Sequence, residues 1–141
     1  MKKNLIAAVL AAGTLVAAAQ AGAQGLTVNV ENLRNNRGNV IVLVFDDARA
    51  FDRLNYFRAA DYAEVPARRG ALQVRFPGLT SGPYAVFLFH DEDGDQDVGY
   101  RNGRLLEGIG ATGAPNPDDD PSFAEAAVPP GNARVIVHYD R

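Results

Sequence analysis

The 141-residue sequence contains no cysteine, so it offers neither disulfide bonds nor a cysteine nucleophile. It also contains no tryptophan, the side chain that most often stacks on sugars in glycosidases, and its two histidines are His90 and His138. No Gly-x-Ser-x-Gly motif accompanies these histidines, so no serine triad is recognisable. We therefore expect a protein that is not an enzyme and that is held together by side-chain packing.

An excess of basic residues is also lacking. The sequence has 14 lysines and arginines and 17 aspartates and glutamates, which gives a net charge of −3 at pH 7. Proteins that bind nucleic acid need a basic surface to neutralise phosphates. No glycine-rich phosphate loop follows a strand and precedes a helix. We expect no nucleic-acid partner.

Long apolar runs are absent outside the first 23 residues. There, Lys2 and Lys3 precede an apolar stretch over 5–19, and Ala21-Gly22-Ala23 supplies a small-x-small cleavage site. The apolar stretch falls short of the roughly 20 residues that a membrane span needs. These features predict a bacterial signal peptide over 1–23, with no transmembrane segment after its cleavage. The remaining chain, 24–141, would be a single periplasmic or secreted domain with 12 basic and 17 acidic residues, a net charge of −5.

The rest of the sequence has the patterns of β-strands. Some segments alternate apolar and polar residues, and others are β-branched and apolar on both faces. Strands are predicted over 26–33, 40–45, 71–76, 84–89, 104–109, 124–128 and 133–139. Glycine and proline turns separate these segments. The pattern predicts an all-β fold, an antiparallel β-sandwich of immunoglobulin-like or transthyretin-like type with about seven strands.

One segment, 46–69, has no clear period. It mixes charges with aromatic residues, and we expect a long connection with one helical turn within 52–62. Two interpretations of its aromatic residues remain open. They pack over one end of the sheet, or Phe51, Tyr56 and Phe57 form a surface that captures a partner.

A dense acidic loop follows the most apolar strand. Five acids occur within seven residues, and Asp91, Asp93 and Asp95 take relative positions one, three and five around the flexible Gly94. This spacing is how calcium loops curl carboxylates around a hard cation, which takes about 6–8 oxygen ligands. We predict a calcium site with the following ligands: Asp91, Asp93, Asp95, Asp97 and Glu107.

Several alternatives to this site remain. Gln96 and Asn102 stand where an EF-hand has its glycine and its bidentate glutamate, so the loop is not an EF-hand. A solvated acidic turn with no ion explains the same residues. A third hypothesis adds His90 and makes the loop the site of a metal-dependent hydrolase acting on envelope material, which requires an open coordination position.

Four short motifs occur in a characteristic order. They are Leu79-Thr80-Ser81-Gly82-Pro83-Tyr84-Ala85-Val86, His90-Asp91-Glu92-Asp93, Glu107-Gly108-Ile109-Gly110 and Pro121-Ser122-Phe123-Ala124-Glu125-Ala126. This order resembles the DUF2141 family of small exported bacterial proteins. The resemblance implies an exported β-sandwich and brings no assigned activity. We therefore expect a binding or structural module, braced by calcium, whose partner is a protein, an envelope polymer or a small ligand.

Overall fold

A computed structural model of the protein describes residues 24–140, and the predicted signal peptide lies outside this range. The described residues form nine strands, two short helices and a 3₁₀ turn at Tyr56–Arg58. In chain order the elements are β1 (Leu26–Leu33), β2 (Asn39–Phe45), α1 (Ala48–Asp52), β3 (Asp61–Pro66), β4 (Gly70–Phe76), β5 (Ala85–Asp91), β6 (Tyr100–Arg101), β7 (Arg104–Leu105), β8 (Gly108–Ala111), α2 (Phe123–Ala126) and β9 (Gly131–Ile136). The prediction of an all-β fold is confirmed, with nine strands rather than seven.

Two sheets form the sandwich. The first has the strand order β4-β1-β9 and the second has the order β3-β2-β5-β8, while β6 and β7 form a separate hairpin. All neighbours in the second sheet are antiparallel, as predicted. In the first sheet β1 is antiparallel to β4 but parallel to β9. The sandwich is therefore antiparallel except for one pair.

The main core lies between the two sheets. The alternation predicted for β1 is confirmed, because Leu26, Val28 and Val30 have no exposed surface. Val42 and Leu88 face them from the second sheet and are equally buried. Burying each such side chain stabilises the fold by roughly 1.5–3 kcal/mol. This layer explains the apolar residues on one face of β2 and β5. It does not explain those on the opposite face.

The opposite face of the second sheet, its outer face, carries a second apolar cluster. Here the alternate residues of β2 and β5 meet residues of the short helices. The Phe51 ring of α1 packs edge-on against Phe45 and Phe123, with centroids 5.7 and 6.1 Å apart. Both faces of β2 and β5 are thus covered, which is why neither strand alternates in sequence.

Residues 124–128 correct one prediction, since they were expected to form a strand. Phe123–Ala126 is instead the one-turn helix α2, and only Val128 makes an isolated bridge, to Tyr84. A capping box explains the helix, because the Ser122 N–H and hydroxyl both donate to Glu125 Oε2 at 2.8 Å. A short apolar run is compatible with either structure, so here the capping residues decide the outcome.

The segment 46–69 is more ordered than predicted. Its α-helical turn is α1, which begins after Asp47, whose side chain accepts a hydrogen bond from the Ala50 N–H at 2.8 Å. This turn ends at Asp52, the first residue of the stretch 52–62 where one helical turn was expected, and the 3₁₀ turn Tyr56–Arg58 lies within that stretch. The segment ends in β3, an edge strand with charged residues and a proline. Such residues protect a sheet edge from further pairing, and they also hide the strand from pattern analysis.

The C-terminal segment joins the two sheets. The Val137 N–H still donates to the Glu31 carbonyl of the first sheet at 2.9 Å. The next residue, His138, exchanges two backbone hydrogen bonds with Ile109 of the second sheet, at 2.9 and 2.8 Å. This crossing closes one side of the sandwich. None of the helices within residues 24–140 has the length and apolar character needed to cross a membrane.

Candidate functional site at the acidic end of strand β5

Strand β5 ends between two environments. Because side chains alternate along a strand, His90 and Glu92 lie on one side and Asp91 on the other. His90 and Asp91 have no exposed surface. Gly38, in the turn before β2, has a φ of 63°, and a Cβ there would overlap the Asp91 carbonyl oxygen. A glycine is therefore required where this turn crosses the end of β5.

Asp91 organises the acidic loop from its buried end. Its Oδ1 accepts a hydrogen bond from the Gly94 N–H and its Oδ2 accepts one from the Gln96 N–H, both at 3.0 Å. The loop bends through positive φ angles at these two residues, 74° at Gly94 and 60° at Gln96. The left-handed conformation is uncommon for residues other than glycine, such as Gln96. The two hydrogen bonds that the Asp91 carboxylate accepts hold the loop in this tight turn.

The exposed residues Asp93, Asp95 and Asp97 continue this tight turn. Asp93 Oδ1 accepts a hydrogen bond from the Asp95 N–H at 3.3 Å, and Asp95 Oδ1 accepts one from the Asp97 N–H at 3.0 Å. Asp97 Oδ1 is bonded to the next N–H, that of Val98, at 2.8 Å. Aspartate side chains commonly bond the backbone two residues ahead in this way. Backbone hydrogen bonds therefore account for the shape of the loop.

Three of the five predicted metal ligands come together. Oxygen atoms of Asp91, Asp93 and Asp95 all lie within 4.8 Å of one another, a spacing that could hold a metal ion. Asp97 and Glu107 are not members of this group. Glu107 is 4% exposed, and its Oε2 accepts a hydrogen bond from the Gly99 N–H at 2.7 Å.

Glu107 nevertheless lies close enough to the loop to be influenced by its charge. Asp93 and Glu107 line one hollow of about 340 Å³, together with Glu92 and two arginines, Arg37 and Arg101. Burial raises the pKa of Glu107, and the charges of Asp93 and Asp95 raise this pKa further. Burial likewise raises the pKa of Asp91, and the same two neighbours add to that effect. The two buried carboxylates thus carry an unfavourable charge that a nearby cation would offset.

His90 is not available as a metal ligand. Its Nε2 lies 2.7 Å from the Arg37 carbonyl oxygen, which can only accept a hydrogen bond, so Nε2 carries the proton. Its Nδ1 is 2.8 Å from the Tyr139 hydroxyl. Both ring nitrogens are therefore engaged inside the core. The arrangement is what a structural histidine requires, and it gives no support to a hydrolase built on His90.

Glu92, which belongs to the acidic run in sequence, is drawn away from it. Arg34 Nε and Arg37 Nη2 lie 2.5 and 2.8 Å from its carboxylate, and Asn35 Nδ2 lies 2.8 Å away. The hydrogen bond from Arg34, with help from Arg37 and Asn35, lowers the pKa of Glu92 to about 2. Sequence analysis missed this partnership. The available signal was the pair of arginines in the turn that precedes β2.

The aromatic residues of 46–69 divide between the core and the surface. Phe51 is 5% exposed and belongs to the core, so the prediction that it forms a binding surface is wrong. Tyr56 stacks on Phe87 of β5, with ring centroids 6.2 Å apart. Phe57 is fully exposed, at 101%, and Tyr62 is 68% exposed. Packing against the sheet thus accounts for Phe51 and Tyr56, whereas Phe57 and Tyr62 are left exposed.

Together these features define a small β-sandwich with an acidic loop at the end of a buried central strand. The model of a bacterial family described as "Uncharacterized protein conserved in bacteria (DUF2141)" matches residues 28–137, and the chain belongs to this family. The resemblance seen in the sequence motifs is thereby confirmed. No curated protein and no solved structure matches the chain.

Proposed function

We propose that this protein is an exported, non-catalytic binding module whose acidic loop takes up calcium. The observation that carries the proposal is the convergence of Asp91, Asp93 and Asp95, whose oxygen atoms lie within 4.8 Å of one another. Calcium prefers oxygen ligands and tolerates irregular geometry, whereas zinc and copper prefer nitrogen and sulfur. The sequence pattern of residues 1–23 supports export to the periplasm or the medium.

The electrostatics of the loop favour a cation. The raised pKa of Asp91 reflects the cost of a charged carboxylate that is buried and lies beside other carboxylates. A divalent ion among these groups would remove much of that cost. Most ligands would come from one short exposed loop, so we expect weak binding, with a Kd of roughly 10⁻⁴ to 10⁻³ M.

The role of calcium would be structural. The chain between the acidic loop and β8 forms the small hairpin β6-β7 and returns through Glu107, which bonds the Gly99 N–H. Glu107 would complete the oxygen ligands from the returning end of this segment, with Asp97 contributing from the loop. An ion shared by both ends would fix the hairpin against the sheet.

The binding surface we assign to the module is aromatic. Phe57 and Tyr62 are exposed on the side of the sheet that also carries Ile41 and Leu43, and a hollow of about 370 Å³ lies between them. Exposed aromatic side chains beside an apolar hollow are typical of contact surfaces. The partner would be a protein, an envelope polymer or a small ligand.

The calcium proposal is tested by thermal unfolding of the purified protein after treatment with EDTA. At 10 mM free Ca²⁺, 10 to 100 times the expected Kd, the free energy of unfolding should rise by about 1.4–2.7 kcal/mol. The midpoint should then rise by several degrees, and 10 mM Mg²⁺ should have a smaller effect. The double variant Asp93→Asn/Asp95→Asn should lose this response.

The matched control is Asp118→Asn/Asp120→Asn, which removes the same charge from an exposed acidic run outside the loop. It should retain the full calcium response. An equal response in the two double variants would refute the site, because it would mean that calcium acts only by screening the protein's net charge.

A further inference from the structure

A second hollow lies on the outer face of the four-stranded sheet, and none of the acidic-loop residues 91–97 lines it. It has a volume of about 290 Å³ and is bounded by α1, β8 and the loop 114–121. Its apolar lining includes Phe51 and Leu54 from the helical segment, Phe87 from β5 and Ile109 from β8. The volume is close to the lower limit of about 300 Å³ for small-molecule sites, which suits a ligand with a single ring.

The polar groups around this hollow have one sign of charge. Asp52, Asp119 and Asp120 line it, and no lysine or arginine from residues 24–140 does. All three residues are exposed, so they lie at the edge of the hollow, where carboxylates attract a cation.

Two of these carboxylates are held in place by backbone hydrogen bonds. Asp52 Oδ1 accepts from the Phe123 N–H at 2.8 Å, and Asp119 Oδ2 accepts from the Asn116 N–H at 2.7 Å. The second oxygen of each carboxylate has no hydrogen bond within the described part of the chain. Both groups are thus fixed at the hollow with an acceptor to spare, which lowers the cost of ordering them around a ligand.

The remaining polar side chain of interest is His138. Its Nε2 lies 3.0 Å from the Ala114 carbonyl oxygen, which can only accept, so Nε2 carries the proton. The aromatic residues Phe51, Phe87 and Tyr100 complete the lining, and aromatic faces also favour cations.

We propose that this hollow binds a small organic cation, an ammonium group attached to one aromatic ring or a short hydrocarbon chain. The apolar lining would take the ring, and Asp52, Asp119 and Asp120 would take the ammonium group. This inference names a ligand class for the proposed binding module, so it rests on that role, but it does not require calcium.

The test is isothermal titration calorimetry in EDTA with three ligands of similar shape. Phenethylamine is the cation, 2-phenylethanol its neutral analogue and 3-phenylpropionate an anion. We expect phenethylamine to bind at least tenfold more tightly than the alcohol, and the anion to bind least. Backbone amide shifts in NMR spectra should change at residues 109–111 and 116–120, and not at 91–97.

Variants locate the charge that is recognised. Asp119→Asn/Asp120→Asn should weaken phenethylamine binding about tenfold and leave the alcohol unaffected, whereas Asp118→Asn, the adjacent acid outside the hollow, should change neither. Equal affinity for amine and alcohol, the same loss in Asp118→Asn, or no amine binding at millimolar concentration would overturn the inference. The variant Asp93→Asn/Asp95→Asn should bind phenethylamine normally, so a failure here is distinguishable from a failure of the calcium proposal.

Discussion

The two faces of the four-stranded sheet use the same strands for different purposes. The inner face presents small aliphatic residues such as Val42, Val44 and Val86, all without exposed surface, to the other sheet. The outer face presents Phe45, Phe87 and Phe89 to short helices and loops, which cover it unevenly. The inner layer is well filled, whereas the outer layer leaves two hollows, one lined by Phe87 and the other by Tyr56 and Phe89.

This difference between the two faces indicates which one stabilises the fold and which one is open to ligands. A sheet covered by another sheet packs along its whole length, because two regular surfaces match. A sheet covered by one-turn helices is covered only where those helices lie, so the bare areas are available to ligands. The same division continues past the end of β5, where His90 and Glu92 are fully paired on the inner side and Asp91 begins the acidic loop on the outer side.

The largest effect should follow from damage to the inner face. Leu88→Ala leaves a cavity between two sheets that cannot easily close, and we expect it to reduce the free energy of unfolding by about 4 kcal/mol. Denaturant titration measures this loss. The matched control, Leu106→Ala, truncates a leucine that is 42% exposed, and it should cost less than about 1 kcal/mol. A similar cost for both variants would contradict the proposed importance of the inner layer.

A smaller effect is expected on the outer face. Phe51→Ser removes a ring packed against Phe45 and Phe123, but the space opens toward a hollow, so we expect a loss of about 3 kcal/mol. Phe57→Ser, the same change on the same face, removes a fully exposed ring and should alter stability by less than about 0.5 kcal/mol. Should Phe57→Ser destabilise the protein strongly, the outer face would be a continuous second core rather than a partly open one.

The third prediction concerns pH. The pKa of Glu92 falls from its ordinary value of 4.5 to about 2 in the folded protein, chiefly through Arg34. A lowered pKa adds stability that is complete above pH 4.5 and is lost as pH falls from 4.5 to 2. We expect this loss to be about 2–3 kcal/mol in urea titrations. Glu92→Gln should remove this part of the pH dependence, while the exposed Glu64→Gln should keep it. An unchanged dependence in Glu92→Gln would exclude the arginine pair as its source.

Local patterns were sufficient to predict the strands with a regular period. Alternation in β1 and β4 and the continuous apolar runs of β2 and β5 each reflect burial on one face or on both. Strand β3 escaped prediction because its charges and proline serve an edge position that depends on its neighbours. For α2, the Ser122 and Glu125 capping pair outweighed an ambiguous apolar run.

The candidate site was predictable only in its local part. The spacing of Asp91, Asp93 and Asp95 within five residues indicated their convergence, because a single turn brings such positions together. The diversion of Glu92 depends on Arg34 and Arg37, which reach it through the pairing of β2 with β5. The two arginines are visible in the sequence, but no period or spacing there links them to Glu92.

The parallel pairing of β1 with β9 also bears on how the chain folds. Leu26 lies beside Gly131 in the first sheet, and the residues after β9 then bond to β8 in the second. The first sheet is not complete until this last strand has arrived, so its closing contacts are among the most distant along the chain. Non-local contacts of this type slow folding, typically to milliseconds or seconds. On the export proposed above, the first sheet would therefore stay open until nearly all of the chain had crossed the membrane.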